Sequence, residues 1–168
     1  MSAAWNDIFT ALHARCLVQY QKGNEDFATY YQTEDLRFLA SIGCQPREFF
    51  DFIEDHGPQL TLSTALLVAA LRRSYFLHEQ KGQPSGQSLL ENQLPLREAA
   101  LEGIPWLPRI LAKAKAKLRG ELHPDLMYGC GGDRAFIARH DLHLADFLEI
   151  VWRAGDDPAP VLAYVRHH

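Results

Sequence analysis

The stretch from Trp106 to Arg134, which reads WLPRILAKAKAKLRGELHPDLMYGCGGDR, constrains the fold of this chain more than any other segment. Leucine, isoleucine and alanine recur along residues 107–118 at the spacing that places side chains on one side of a helix. Basic residues fill the remaining positions, and Gly120 is placed to end the helix. The pattern predicts a helix with one core face and one cationic face exposed to solvent.

A glycine-rich segment follows this helix. Gly129, Gly131 and Gly132 are three of four consecutive residues, a density that indicates an unusual backbone path. Asp133 comes next, where it is expected to cap or open the following helix. We therefore expect a glycine-rich loop that leads into another helix.

These residues also carry a resemblance to a known family. They are Leu107-Pro108-Arg109, the alternating Lys-Ala helix ending in Gly120, Tyr128, and Cys130 followed by Asp133-Arg134. Over roughly the last 75 residues the chain resembles a bacterial family catalogued only as a domain of unknown function. The resemblance implies a helical fold and a bacterial origin, and it brings no activity, substrate or catalytic residue with it.

Length and composition describe a globular protein. With 168 residues, 47% of them hydrophobic and 23% charged, the chain can form one domain or two small lobes that share a core. The longest apolar run, residues 64–71, is far shorter than the ~20 residues needed to cross a bilayer, and the N-terminus lacks a signal-peptide pattern. We expect a soluble cytoplasmic protein with no membrane partner. Its three cysteines show no close pairing motif, which favours reduced thiols.

Charge is distributed unevenly along the chain. The formal net charge of −4 makes bulk nucleic-acid binding unlikely. Residues 24–56 hold eight acidic and two basic residues, whereas residues 105–134 hold six basic and three acidic residues. Two patches of opposite sign can steer partners.

The positions of glycine, proline and helix-capping residues predict an all-α fold, and no convincing alternating strand appears. In the first half of the chain, helices are predicted from a cap at Ser2 to Gln21, from a cap at Thr33 to Gly43, from Pro46 to a stop before Gly57, and from Leu62 to Gln80. In the second half, a short helix from Leu96 to Glu102 is followed by the basic helix and by two C-terminal helices, the last of which is capped by Asp157. The helix from Leu62 to Gln80 is the most apolar and is predicted to be central. A Gly, Pro and Ser-containing linker at residues 82–94 separates a lobe of residues 1–81 from a lobe of residues 95–168.

The two lobes show similarity at a fixed offset of 98 residues. Phe38 corresponds to Phe136, Phe49 to Phe147 and Gly57 to Gly155 at this offset. The agreement of apolar and acidic positions favours an internal duplication, and hence a helical repeat. The glycine run and the lysines of the basic helix have no counterpart in the first lobe.

We predict that the basic helix and the glycine loop together form the surface through which the protein acts. The predicted binding residues are Arg109, Lys113, Lys117, Tyr128, Gly129, Cys130, Gly131, Gly132, Asp133 and Arg134. The first three, called the cationic row below, are spaced four apart, and the core is not expected to need them. Replacing them by glutamine is therefore expected to leave stability nearly unchanged.

Three classes of function remain open from the sequence. The favoured one is a protein-binding or regulatory module, because charge is asymmetric and no complete catalytic constellation is present. The second is an enzyme with Cys130 as nucleophile, its thiolate favoured by a helix N-terminus and Arg134, and with His123 or His140 as base. The third is a phosphate or small-anion site at the glycine loop.

Two further patterns have structural interpretations. His140 and His143 with Cys130 are of ligand type for zinc, yet their spacing is not that of a metal site, and no metal or other cofactor is predicted. The pair Arg72-Arg73 follows an apolar run and is expected to form a buried ion pair with Glu48, Asp51 or Asp55.

Overall fold

The computed structural model describes residues 4–168, and this part of the chain is almost entirely helical. Its helices are α1 (Trp5–Gln21), α2 (Thr33–Ser41), α3 (Pro46–Glu54), α4 (Leu62–His78), α5 (Leu107–Arg119), α6 (Gly131–Arg139), α7 (Leu144–Ala154) and α8 (Ala159–Arg166), with 3₁₀ turns at Phe27–Thr29 and Glu91–Gln93. The strands are β1 (Ala100–Leu101) and β2 (Ile104–Pro105), which pair antiparallel. The predicted all-α class is confirmed.

The helix boundaries follow local sequence signals. Gly43 adopts positive φ just beyond the C-cap of α2, Gly120 does so at the C-cap of α5, and Pro46 opens α3 as predicted. Asp157 accepts a hydrogen bond from the backbone N–H of Ala159 at the start of α8. Ser2, the predicted cap of the first helix, lies outside the described residues.

Aromatic side chains form the core of the first lobe. Helix α1 packs on α3, and the rings of Phe9 and Phe49 meet edge to face with centroids 5.0 Å apart. Both rings are fully buried, and Phe52 packs against Phe9 from the same helix as Phe49. Burying aromatic rings of this size is a major part of what stabilises the lobe.

Helix α4 joins the two lobes. It packs against α1 of the first lobe and against α5 and α7 of the second, so that one continuous hydrophobic core runs through the described residues. It is nevertheless not buried on every side, since Leu67 is half exposed. Within residues 4–168, no helix is long and apolar enough to cross a membrane.

The segment between the lobes differs from the prediction. Residues 96–102 were expected to form a short helix, but they lead into the β1–β2 hairpin. Glu102 and Gly103 both adopt positive φ at its tip, which is the geometry of a tight two-residue hairpin turn and is incompatible with a continuing helix. The linker at 82–94 is packed rather than free, because Leu89 bridges to Leu122 and Leu94 is buried.

Helix boundaries agree with the 98-residue offset. Helix α2 corresponds to α6, and the first residues of α3 and α7 correspond as well. The ion pair between Arg15 and Asp35 has a counterpart between Lys113 and Asp133 at the same offset. These agreements are consistent with an internal duplication, which stays a prediction.

His13 on α1 is a buried histidine held in its neutral form. It is 2% exposed, its ring lies 5.2 Å from the ring of His56, and its Nε2 has no hydrogen-bond partner within residues 4–168. Burial, reinforced by repulsion from His56, lowers the pKa of His13 to about 4. The unfolded chain therefore takes up this proton at a higher pH than the folded protein does.

We predict that His13 makes the fold sensitive to acid between pH 6.5 and pH 4. Stability due to the neutral ring is fully present above pH 6.5 and is lost by about 1.4 kcal/mol per pH unit on acidification through this window. Urea titrations at several pH values should show a shallower decline of the unfolding free energy for His13→Leu than for the wild type. His78→Leu, at an exposed position on α4, is the control and should keep the wild-type slope. Equal slopes for the wild type and His13→Leu would contradict the assignment.

Candidate functional site

The cationic row of α5 is buried, which corrects the prediction of a solvent-exposed basic face. Arg109, Lys113 and Lys117 are 6%, 3% and 4% exposed. The apolar stripe of the helix lies in the core as expected, but other parts of the chain cover the cationic side as well. The cationic row therefore does not lie on the surface, where it was predicted to contact a partner.

Each cation of the row has a carboxylate partner supplied by a different part of the chain. The pairs are Arg109 with Glu91 at 2.5 Å, Lys113 with Asp133 at 2.5 Å and Lys117 with Glu48 at 3.0 Å. Both partners are buried in the Lys113 and Lys117 pairs, whereas the Glu91 side chain is 57% exposed. Buried charges are retained in proteins when they are paired and hydrogen-bonded. The row is thus part of the structure, and glutamine at all three positions is now expected to destabilise the protein strongly.

The pair between Lys117 and Glu48 joins the second lobe to the first. Glu48 also accepts a hydrogen bond from the backbone N–H of Gln45 at the start of α3. Burial opposes the charged form of Lys117, but Glu48 and other acidic groups outweigh it, so that the pKa of Lys117 lies above its ordinary value. Nearby, burial raises the pKa of Asp51 to about 7 despite the cations Arg47 and Lys117. Lys117 therefore belongs to an interlobe contact and not to the glycine loop.

Asp133 is the most buried ionic group near the glycine segment, with 0% exposure. One carboxylate oxygen accepts the indole N–H of Trp106 at 2.9 Å, and the other accepts the backbone N–H of Gly129 at 2.9 Å and contacts the Lys113 ammonium. Asp133 was expected to cap or open α6; instead Cys130 is the N-cap residue, and Asp133 lies in the first turn with its side chain turned inward. Its carboxylate holds α5, α6 and the intervening segment together.

The glycines serve close packing against Trp106. Gly131 and Gly132 form the first turn of α6 and are not part of a loop, whereas Gly129 precedes the helix with a φ of +92°. The indole ring lies directly against Gly132, so that any side chain at this position would collide with it. Trp106 itself adopts a φ of +69°, an uncommon conformation for a bulky residue. The surrounding contacts must hold this backbone in place.

Two other predicted site residues lie beside the same segment. Arg134 donates from Nη1 to the backbone carbonyl of Gly129 and to Asp55, both at 2.7 Å. The hydroxyl of Tyr128 is buried and donates to the backbone carbonyl of Leu144 at 2.7 Å. The structure thus brings the predicted residues together around the start of α6, with Lys117 as the exception.

A cavity of about 270 Å³ opens beside the start of α6 and is called the Cys130 cavity here. Its walls include Glu91, Arg97, Trp106, Arg109, Lys113, Asp125, Cys130 and Gly132. The Lys113 ammonium donates to the Sγ atom of Cys130 at 3.1 Å. Cys130 is partly exposed, whereas the other two thiols are buried. The cavity therefore presents a thiol beside an ammonium group.

Neither histidine predicted as a base for Cys130 contacts it in the described part of the chain. His123 lies against Asp125, and His140 packs on Phe136 at the opposite end of α6. His143 accepts the backbone N–H of Ala145 at the start of α7. The group in contact with the thiol is Lys113, which the sequence had placed on the surface.

Arg97 is a cavity residue that the sequence did not single out. It is exposed, and no carboxylate within residues 4–168 lies at ion-pair distance from it. The sequence predicted a helix over residues 96–102, whereas in the structure Arg97 precedes the hairpin and lines the Cys130 cavity. The Glu102-Gly103 pair was the available signal for such a turn.

The prediction of a buried ion pair at Arg72-Arg73 is wrong. Arg72 is buried but bonds to backbone carbonyls and Gln80. Arg73 is partly exposed and lies over the ring of Trp5. Glu48 is already occupied by Lys117, and Asp55 by Arg134, so the carboxylates proposed for this arginine pair serve other cations.

We predict that Lys113→Met lowers the unfolding free energy by about 3–5 kcal/mol, because it leaves the Asp133 carboxylate buried without its cation. The matched control is Lys115→Met on the same helix. Lys115 is 29% exposed and faces the exposed Asp156, so this change should alter stability by less than about 0.5 kcal/mol. Thermal and urea unfolding measure both effects. A similar small loss in the two variants would show that the buried pair does not support the fold.

No protein-family model matches the chain, and no curated protein or solved structure matches it at a significant level. The family resemblance of roughly the last 75 residues stays a prediction. The functional argument depends on the geometry of the chain's own residues.

Proposed function

We propose that this protein is a binding module that holds a small anionic ligand in the Cys130 cavity. The observation that carries the proposal is the start of α6, where no side chain caps the helix and where Cys130 and Gly132 line the cavity. The backbone N–H groups of residues 131–133 have no acceptor within the described chain. Free N–H groups and the helix dipole make such an end favourable for an anion.

The charges of the cavity support the same ligand class. Lys113 and Arg109 are paired with carboxylates, so they contribute hydrogen-bond donors with little net charge. Arg97 has no such partner and supplies a cation at the cavity wall. Asp125, also in the wall, is exposed and lies against His123. An anion thus gains a guanidinium and backbone N–H donors without displacing a buried ion pair.

A protein partner has less support from the geometry. That hypothesis depended on an exposed cationic row, and the three side chains are buried in ion pairs. A small ligand needs only the cavity.

Thiol chemistry at Cys130 is the second candidate function, and the contact between Lys113 and Cys130 favours it. Thiolates are the reactive form of cysteine, and neighbouring cations are typical of reactive cysteines. Lys113 is paired with Asp133, so what it offers the thiol is a hydrogen bond to Sγ more than net charge. The thiol also lines a cavity in which a substrate could be held.

We predict that inorganic phosphate binds at the start of α6. At tens of millimolar phosphate and constant ionic strength, the amide resonances of Gly131 and Gly132 should shift, and phosphate should slow alkylation of Cys130 by iodoacetamide. Arg97→Gln should weaken binding about threefold, the effect of one exposed charge, whereas Arg37→Gln on α2 should not. Arg37 is a matched control because it is exposed and lies outside the cavity wall.

Two outcomes would contradict phosphate binding in the Cys130 cavity. If neither amide shifts and Cys130 is alkylated at the same rate with and without phosphate, the start of α6 is not an anion site. If Arg37→Gln weakens binding as much as Arg97→Gln does, the effect is one of net charge and the cavity is not involved.

Alkylation also tests the second candidate. In the native protein iodoacetamide should modify Cys130 alone, because Cys16 and Cys44 are buried and burial raises their pKa to about 11 and about 12. Reaction at pH 7 faster than that of the same residues as an unfolded peptide supports a nucleophilic thiol. A slower reaction contradicts it.

A further inference from the structure

The guanidinium of Arg72 is buried between the lobes without an ion-pair partner. Its side chain is 4% exposed, and within residues 4–168 no carboxylate lies at ion-pair distance. Its Nε donates to the carbonyl of Gly43 at 2.8 Å, and its Nη1 donates to the carbonyl of Leu118 and to Gln80, both at 2.7 Å. Buried charges are usually paired, so an uncompensated guanidinium in the interior needs an explanation.

A helix end compensates this charge only in part. Leu118 lies in the last turn of α5, so its carbonyl belongs to a helix C-terminus, which favours cations, whereas Gly43 lies just beyond the C-cap of α2. Burial nevertheless lowers the pKa of Arg72, and Glu48, the acidic group that most opposes this shift, is bonded to Lys117. The environment leaves room for a further anion.

One nitrogen of Arg72 is free to meet such an anion. Nη2 has no acceptor within the described chain, and it lies between Gly43 and Gly120, where any side chain would crowd it. It is not sealed from solvent, because the one sealed and unpartnered side-chain nitrogen or oxygen of residues 4–168 is Nε2 of His13. Gly43, Gly120 and Arg72 all line the same cavity.

This cavity, called the Arg72 cavity here, measures about 260 Å³. Apart from the guanidinium its wall is largely apolar and includes Leu36, Pro46, Phe76 and Pro84. The space exceeds by several fold the ~30 Å³ that one water occupies in the liquid. An apolar cavity with one fixed polar group is typical of sites for small organic ligands.

We propose that the Arg72 cavity binds a small organic monocarboxylate with an apolar body. A carboxylate oxygen accepts a hydrogen bond from Nη2, while the bonds from Nε to Gly43 and from Nη1 to Leu118 and Gln80 stay in place. The apolar body lies between Leu36 and Phe76 and removes their surface from water. Phosphate or sulfate fits less well, because a largely apolar wall meets few of its remaining oxygens with donors, the Gln45 amide among them.

The Arg72 cavity shares no wall residue with the Cys130 cavity. Ligand binding in one cavity can therefore be tested, and refuted, independently of the other.

The test uses the intact protein and three probes. Phenylacetate has both the charge and the apolar body, phenylacetamide has the body without the charge, and acetate has the charge without the body. Followed by amide NMR, phenylacetate should shift the resonances of Gly43 and Gly120 and should bind about tenfold or more tightly than either comparison compound, since a charge-assisted hydrogen bond and apolar burial both contribute. Absence of these shifts, or equal binding of phenylacetamide and phenylacetate, would overturn the proposal.

Variants at the cavity mouth localise the site while Arg72, whose hydrogen bonds join the lobes, is left in place. Leu36 is 44% exposed in the cavity wall, and Leu36→Glu adds a carboxylate that repels the ligand. Leu67, 51% exposed on α4 and outside this wall, provides the matched control Leu67→Glu. We expect phenylacetate binding to weaken about tenfold in Leu36→Glu and to be unchanged in Leu67→Glu. Equal affinity in Leu36→Glu and the wild type would place the ligand elsewhere and refute the site.

Discussion

The rest of the structure depends on neutralising the charges of α5 inside the protein. A lysine or arginine removed from water is tolerated when a carboxylate meets it and hydrogen bonds satisfy both groups. Glu48 of α3, Asp133 of α6 and Glu91 of the segment before the hairpin each approach α5 for this purpose. Since these carboxylates come from three separate parts of the chain, the three pairs fix where those parts lie around the helix.

Asp133 shows how one pair acquires a wider structural role. The corresponding pair of the first lobe, Arg15 with Asp35, lies nearer the surface, with side chains 42% and 15% exposed. In the second lobe the indole of Trp106 covers the carboxylate and donates to it, and the absence of a side chain at Gly132 allows this approach. Packing against the indole thus explains the glycine run. The backbone N–H groups at the start of α6 have no acceptor in residues 4–168.

The two proposed binding sites lie where polar or charged groups are not fully paired within the protein. In the Cys130 cavity the groups without a partner in the described part of the chain are Arg97 and the first N–H groups of α6, next to a thiol. In the Arg72 cavity the group without an acceptor in residues 4–168 is one nitrogen of a guanidinium whose other donors bind two backbone carbonyls and Gln80. In a folded protein nearly all buried polar groups have a hydrogen-bond partner, so the few that lack one indicate where a ligand can bind.

The sequence by itself determined the helical class and many helix boundaries. Gly43, Pro46 and Gly120 act through local backbone geometry, which needs no information from distant residues. Only the tertiary structure decided that the cationic row is buried. Helical periodicity separates an apolar side from a charged side, but it does not tell whether water or carboxylates cover the charged side. Lys117 finds its carboxylate at Glu48, 69 residues away, and no local pattern connects the two. The cavities likewise form only when distant segments pack together.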